Sequence, residues 1–160
     1  MNNEASLLVS ADGLRCTEPN CATVLSPDAE LCDECGSQRL ARLADSGAVL
    51  IGAAGDRPVA FELPAEGRVT VGRSVGGATA PEIDLARLPG SASVHRQHAT
   101  IAPDGDGWRV TQLGRNPLVI RRPGQTLVVE PGTSQPLRAG DRLLVGGVSL
   151  QVVVMRQVTH

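Results

Sequence analysis

At 160 residues, 41% of them hydrophobic, the chain has room for one ordinary domain plus a small appendage. Aromatic residues are only 1%, with Phe61 and Trp108 the whole complement, so the core must be built from Val, Leu, Ile and Ala, which argues against holding single-stranded nucleic acid by base stacking on aromatic platforms. The net charge of -2 divides unevenly: residues 1–46 carry eight acids and three arginines (-5), residues 47–160 nine acids and twelve arginines (+3), so an anion is expected on the second part.

Every positive side chain is arginine, and guanidinium is the better fork for phosphate. The arginine bias and small size suit a prokaryotic source. Residues 1–13 read as a flexible N-terminus with no basic and apolar leader. The longest apolar windows, "AVLIGAA" and "LLVGGVSLQVVVM", are strand-like and broken by glycine. Neither reaches the ~18 residues of a membrane span. The expectation is a cytoplasmic protein with no membrane partner.

All four cysteines fall in "CTEPNCATVLSPDAELCDECG": Cys16 and Cys21, then Cys32 and Cys35, two close pairs separated by ten residues. Zinc takes four soft ligands at tetrahedral corners, and two turn-bearing loops can present two thiolates each. Gly36 directly after Cys35 supplies the positive φ that a tight metal turn needs. Pro19 and Asn20 make the first loop prone to turn. Two disulfides are the alternative, disfavoured without an export signal. A redox pair at Cys32 and Cys35 would need an α/β unit that nothing here supplies. The pattern resembles a zinc ribbon over residues 14–38, with a first pair wider than usual. Four thiolates leave no open position for catalysis. The acidic surroundings oppose a phosphate backbone, so nucleic acid is an unlikely partner. The zinc is expected to be structural, with a protein-docking surface as a further role.

Residues 39–46 read as a linker; within "SQRLARLADSG" the spacing of Leu40, Leu43 and Ala44 allows a short helix. From residue 47 the pattern changes to short alternating or apolar runs: "AVLI", "VAFEL", "RVTVG", "HATIA", "WRVTQL", "PLVI", "TLVV", "RLLVG" and "VSLQVVV", each bounded by Gly, Pro or Asp. Such spacing predicts an all-β sandwich over residues 47–156. Residues 76–93 are the exception, a long loop without periodicity, and long loops in compact domains are usually functional. No H-E-x-x-H, G-x-S-x-G or P-loop occurs, and "SVGG" and "GGVS" lack the lysine of a nucleotide cradle, so an enzyme is not expected.

The polar residues then fall into an order: Gly72-Arg73-Ser74 after "RVTV", "SVHRQHATI", "LGRNPLVI", and Gly140-Asp141 before the last hairpin. This set resembles the forkhead-associated (FHA) domain, a β-sandwich that binds phosphothreonine peptides through loops at one end. The resemblance implies that Arg73, with Ser74 beside it, contacts the phosphate. It implies that His98 is a buried brace for the loops, as Gly72 is their support, and that Asn116 grips the peptide main chain.

Arg96 stands where the family often contacts the ligand. His95 replaces the family's phosphate-touching serine; imidazole can still donate, and a bound phosphate would give it a pH-dependent role near neutrality. Arg115 stands in place of a common Ser or Thr, Pro117-Leu118 replace a "GT", and Arg121-Arg122 replace an asparagine-glycine; the added charge suggests an acidic flank on the ligand. Gly140 and Asp141 are expected to form a tight turn without a ligand role.

The resemblance therefore implies a phosphothreonine-binding adaptor in a Ser/Thr kinase pathway, its partner a phosphothreonine-containing protein, either a kinase or a kinase substrate. Two other readings stand beside it. One is a degenerate module that binds an unphosphorylated partner or self-associates. The other is a zinc-ribbon regulator of nucleic acid.

Overall fold

A computed structural model describes residues 12–18, 20–75 and 80–155, which leaves most of the expected flexible N-terminus, Pro19, residues 76–79 of the long loop and residues 156–160, the first of them the expected end of the sandwich, outside the described residues. In chain order the strands are β1 (Leu14–Cys16), β2 (Val24–Leu25), β3 (Leu40–Arg42), β4 (Ala48–Ala54), β5 (Arg57–Glu62), β6 (Val69–Gly72), β7 (Ile83–Asp84), β8 (Ala99–Asp104), β9 (Gly107–Gln112), β10 (Leu118–Arg122), β11 (Gln125–Val128), β12 (Ser134–Leu137), β13 (Arg142–Val145) and β14 (Val148–Val154).

The sandwich consists of a six-stranded sheet in the order β11-β10-β13-β14-β4-β5 and a five-stranded sheet in the order β12-β9-β8-β6-β7. Alternation decides which side chains meet between them. Leu118 and Ile120, Leu143 and Val145, and Val148, Leu150 and Val152 point inward and join Leu50, Phe61, Val71, Ile101 and Val110 in one buried cluster. Each such side chain contributes about 1.5–3 kcal/mol on burial. "AVLI" is continuously apolar because β4 is covered on both faces: Val49 and Ile51 face outward into a second cluster with Leu43, Ala60 and Met155.

The cysteine segment forms a separate small sheet in the order β2-β1-β3. The stretch expected to link the modules is thus partly a strand, Cys16 pairing with Leu40 and Leu14 with Arg42. It is also not a helix, beyond one 3-10 turn at Leu43–Ser46. The reason is that its two leucines serve two cores. Leu40 packs on the cysteine cluster and Leu43 in the cluster outside β4. An extended chain reaches both, and a helix would put them on one face.

The small sheet is seated on the sandwich rather than tethered to it. Strand β5 ends its sheet, where an exposed edge would invite pairing with other chains. Pro58 is tolerated there because an edge strand need not donate every N–H. Beyond Pro58 the cysteine module covers the strand: Thr23 bridges to Val59, and Ala60 N donates to the Ala22 carbonyl at 2.9 Å. Ala22 holds φ at 56°, a left-handed conformation that costs alanine on the order of 1 kcal/mol. Ion pairs add to the seat: Arg15–Glu62 at 3.0 Å, Arg57–Asp33 at 3.0 Å and Arg87–Glu34 at 3.3 Å. No described helix is long and apolar enough to cross a membrane.

Candidate functional site

At one end of the sandwich, three connections are laced to one another: the turn after β6, the long segment 85–98 before β8, and residues 113–117 between β9 and β10. Gly72 closes β6 directly beneath the second of these. A Cβ there would lie 2.6 Å from the carbonyl carbon of Arg96 and 2.9 Å from the carbonyl oxygen of His95. Only a residue without a side chain lets the two loops touch. Arg73 follows, its N donating to His95 O at 3.1 Å and its Nε to Val94 O at 3.0 Å. Its two terminal nitrogens have no protein partner among the described residues. Asn116 donates through Nδ2 to Ser93 O at 2.6 Å, and its Oδ1 has no protein partner among the described residues. Arg73 and Asn116 are therefore anchored on neighbouring carbonyls, those of Val94 and Ser93.

His98 is fully buried, and its partners fix its tautomer. The His95 N–H can only donate, so Nδ1 of His98 accepts it at 3.2 Å. The Asn116 and Pro117 carbonyls can only accept, so Nε2 carries the proton and donates to them at 3.2 and 3.1 Å. The ring is neutral and joins the long segment to residues 113–117, while the main-chain N of His98 donates to Val71 O of β6 at 2.9 Å. Burial lowers its pKa, only partly offset by the two carbonyls.

This sets a pH dependence. The unfolded chain takes up the proton near pH 6.5 and the folded chain at lower pH. The stability that His98 contributes is fully present above about pH 6.5 and declines as pH falls from there through its folded value. Chemical denaturation between pH 8 and 5 is expected to show this loss, and His98→Gln to reduce it; an unchanged slope in the variant would count against the assignment.

The remaining expected residues lie on the same loops. Ser74 is half-buried, and its N donates to Asp84 Oδ1 at 3.0 Å. The side chains of His95, Arg96 and Arg115 are exposed. The His95 ring lies over the Cα of Gly114, its centroid 5.5 Å from that of His98. Arg73, Arg96 and Arg115 form no ion pair among the described residues, so three guanidinium groups edge this end.

Arg122 does not join them. It sits at the far end of β10, where Asp141 holds it in a fork of 2.7 and 3.0 Å. Its charge is answered inside the fold, so it does not extend the rim as expected. Asp141 also accepts Arg138 N at 2.8 Å, which makes the expected turn.

Three supports were not singled out from the sequence. Gln112 is buried and donates to Asn116 O at 2.8 Å while its Oε1 accepts Gly114 N at 3.2 Å. Its signal was a polar residue at an inward position, in step with Trp108 and Val110. Asp84 is buried, with Oδ1 accepting both Ser74 N and Ala86 N, and Oδ2 without a partner among the described residues. The glycine pair in "GGVS" serves as a rest for the long segment: a Cβ on Gly146 would lie 2.7 Å from Ser93 O, and Gly147 lies directly against Gly90.

In the small sheet the four cysteines are free thiols whose Sγ atoms all lie within 4.8 Å of one another. Cys16–Cys35 are 3.5 Å apart and Cys21–Cys32 3.6 Å. Zinc–thiolate bonds of ~2.3 Å set tetrahedral sulfur–sulfur edges of roughly 3.75 Å, so the four can hold a metal ion such as zinc. Gly36 has φ 79°, as a tight turn after Cys35 requires. Burial pushes the Cys16 thiol well up; it pushes Cys21 up too, but hydrogen bonds from the Thr23 side chain and backbone and from Cys32 prevail and bring it to about 7.

A model of the FHA domain family matches residues 69–146, the span from β6 to the last hairpin that contains Gly72, Arg73, Ser74, His95, Arg96, His98, Arg115 and Asn116. The chain carries an FHA domain. Solved structures agree on the fold. The FHA domain of the CT664 protein from Chlamydia trachomatis is 21% identical, with a TM-score of 0.50 over 66% of this chain and 95% of that one. An FHA domain from Arabidopsis thaliana is 22% identical, with a TM-score of 0.50 over 71% and 89%. The yeast Dun1 FHA domain, solved with a doubly phosphorylated phosphothreonine peptide, is 20% identical, with a TM-score of 0.50 over 71% and 77%. No curated protein sequence matches the chain. In this FHA domain the long segment 85–98 is held by the glycine rest, by Asn116 and by His98. It contains only a 3-10 turn at Ser91–Ser93, and the two-residue β7 before it pairs parallel with β6.

Proposed function

We propose that the FHA domain reads phosphothreonine, and that the protein is an adaptor in Ser/Thr kinase signalling with a structural zinc module. The observation that carries this reading is the anchoring of Arg73 and Asn116 on the adjacent carbonyls of Val94 and Ser93. It fixes a guanidinium and an amide side by side and leaves the terminal nitrogens of one and the oxygen of the other to a ligand. The forked donor suits phosphate oxygens, and the amide oxygen suits a peptide N–H. His95 donates to the same phosphate from its place over Gly114, and Ser74, Arg96 and Arg115 complete the ring. The yeast Dun1 neighbour, bound to a phosphothreonine peptide, supports the ligand class. The partner is a phosphorylated protein, a kinase or its substrate. Zinc on Cys16, Cys21, Cys32 and Cys35 supplies a cross-link within the small sheet, and four free thiols suit a reducing, cytoplasmic setting.

Calorimetric titration of the zinc-loaded chain with a phosphothreonine peptide library and its unphosphorylated twin tests the reading. Binding is expected for the phosphorylated set alone. Arg73→Ala is expected to weaken it about ten- to a hundred-fold, the loss of a charge-assisted contact of roughly 1.5–3 kcal/mol. Binding that survives both dephosphorylation and the substitution would overturn it in favour of an unphosphorylated partner.

A further inference from the structure

The segment between β7 and β8 has an unusual position. It supplies Ser93, Val94, His95 and Arg96 to the proposed phosphopeptide site, yet over residues 85–98 it belongs to no sheet. Its internal bonds are a run of local turns: Leu88 N to Leu85 O, Ser91 N to Leu88 O and Val94 N to Ser91 O, with Ser91 Oγ reaching back to Ala86 O. Segments held this way lie at the low-stability end of a fold and take their order from whatever anchors them.

One anchor comes from outside the sandwich. Arg87 reaches from this segment to the cysteine module, its NH1 donating to the main-chain carbonyl of Cys21 at 2.9 Å and its NH2 pairing with Glu34 at 3.3 Å. These acceptors flank both cysteine pairs: Cys21 is in the first, and Glu34 lies between Cys32 and Cys35. The far side of the same tie is equally short. Ala86, next to Arg87, donates its N–H to Asp84 Oδ1 at 3.1 Å, and the same oxygen accepts Ser74 N at 3.0 Å. Leu85 N donates to Gly72 O at 2.8 Å. From the Cys21 carbonyl to the turn that carries Arg73 there are one side chain and one shared carboxylate.

We propose that Arg87 is a positioning residue that fastens the phosphopeptide loops to the cysteine module, making that module part of the recognition unit. This rests on the phosphopeptide reading for its functional consequence, but the ordering of the segment does not. Metal on the four thiolates fixes the Cys21 carbonyl and Glu34 in place. Arg87 passes that order to residues 85–94, and Asp84 passes it to Ser74. Arg57 is the natural control. It pairs with the same Glu34, at 3.2 Å, and with Asp33, but it stands on β5 and makes no hydrogen bond or ion pair with residues 85–98.

The test uses the full chain loaded with zinc. Amide hydrogen exchange is read at Leu88, Ser91 and Val94, together with zinc content and affinity for a phosphothreonine peptide. Arg87→Ala is expected to speed exchange at these amides about tenfold or more and to weaken the peptide about five- to tenfold, with zinc content unchanged. Arg57→Ala is expected to change neither, and chelation of the wild-type chain is expected to reproduce the exchange pattern of Arg87→Ala. Unchanged exchange in Arg87→Ala overturns the proposal, as does equal acceleration in both variants, which would mean general loosening of the module. If no phosphopeptide binds even the wild-type chain, the phosphopeptide reading fails while the exchange data still decide the role of Arg87.

Discussion

Gly72→Ala is expected to abolish phosphopeptide binding and to lower the thermal midpoint of the FHA domain by roughly 5–10 °C. The added methyl would meet backbone, the carbonyl groups of Arg96 and His95, so no side-chain rotation relieves it. Nor can β6 move away easily. Gly72 O accepts Leu85 N at 2.8 Å on one side, and Arg73 N donates to His95 O at 3.1 Å on the other. The loop must lift, taking with it the Val94 and Ser93 carbonyls on which Arg73 and Asn116 are anchored. Overpacking of this kind costs about 1–3 kcal/mol even when it is relieved. Gly114→Ala is the contrast: its methyl would meet the His95 ring, 2.5 Å from Cδ2, and that ring is exposed and free to turn. Thermal melts and peptide titrations of the two variants check this. A Gly72→Ala protein that binds as tightly as wild type, or a Gly114→Ala protein that is the more damaged, would refute the account.

Withdrawal of the metal is expected to unfold residues 12–42, and Cys32→Ser is expected to do the same in metal-replete buffer. The buried core of this module consists of Cys16, Cys21, Cys32 and Leu25, with Leu14, Ala29 and Leu40 packed against it. Three of its four buried members are thiols, so apolar burial alone cannot hold it. Structural zinc contributes an apparent ~10–16 kcal/mol in comparably small modules, more than a core this size can replace. The sandwich has its own cluster and is expected to remain folded. Elemental analysis should find one zinc per chain. After chelation, exchange protection should disappear at Cys16, Cys32 and Gly36, whose amides donate to Thr23, Ser37 and Cys32 carbonyls. Protection that persists after chelation would sink the zinc assignment.

The sandwich and its recognition loops were legible because their signals are local. Period-two alternation marks the strands, and Gly72-Arg73, His98 and Asn116 occur in a fixed order along one chain. What was not legible depends on the third dimension. Leu40 and Leu43 have helical spacing, and only the presence of two separate cores makes the chain extend between them. Arg122 looks like a rim charge until β10 carries it to the opposite end and Asp141 meets it. Gln112 looks like one more strand residue, and its role depends on a loop that begins just after it. His95 has the opposite character: its departure from the family pattern was plain in the sequence, while its seat over Gly114 needed the fold.

The covering of β5 by the cysteine module has a consequence for how the chain is made. Synthesis runs from the N-terminus, and folding units form in the order in which they emerge. All four thiolates, Cys16 to Cys35, leave the ribosome before the first residue of β4 does. A metal-loaded module can therefore already be in place when Arg57–Glu62 forms. The carbonyl of Ala22 and the main chain of Thr23 are then waiting for Ala60 and Val59. The nascent sandwich need never present that strand bare to a neighbouring chain. Scarcity of metal during translation would thus be felt as aggregation of the sandwich, a domain to which none of the four thiolates belongs.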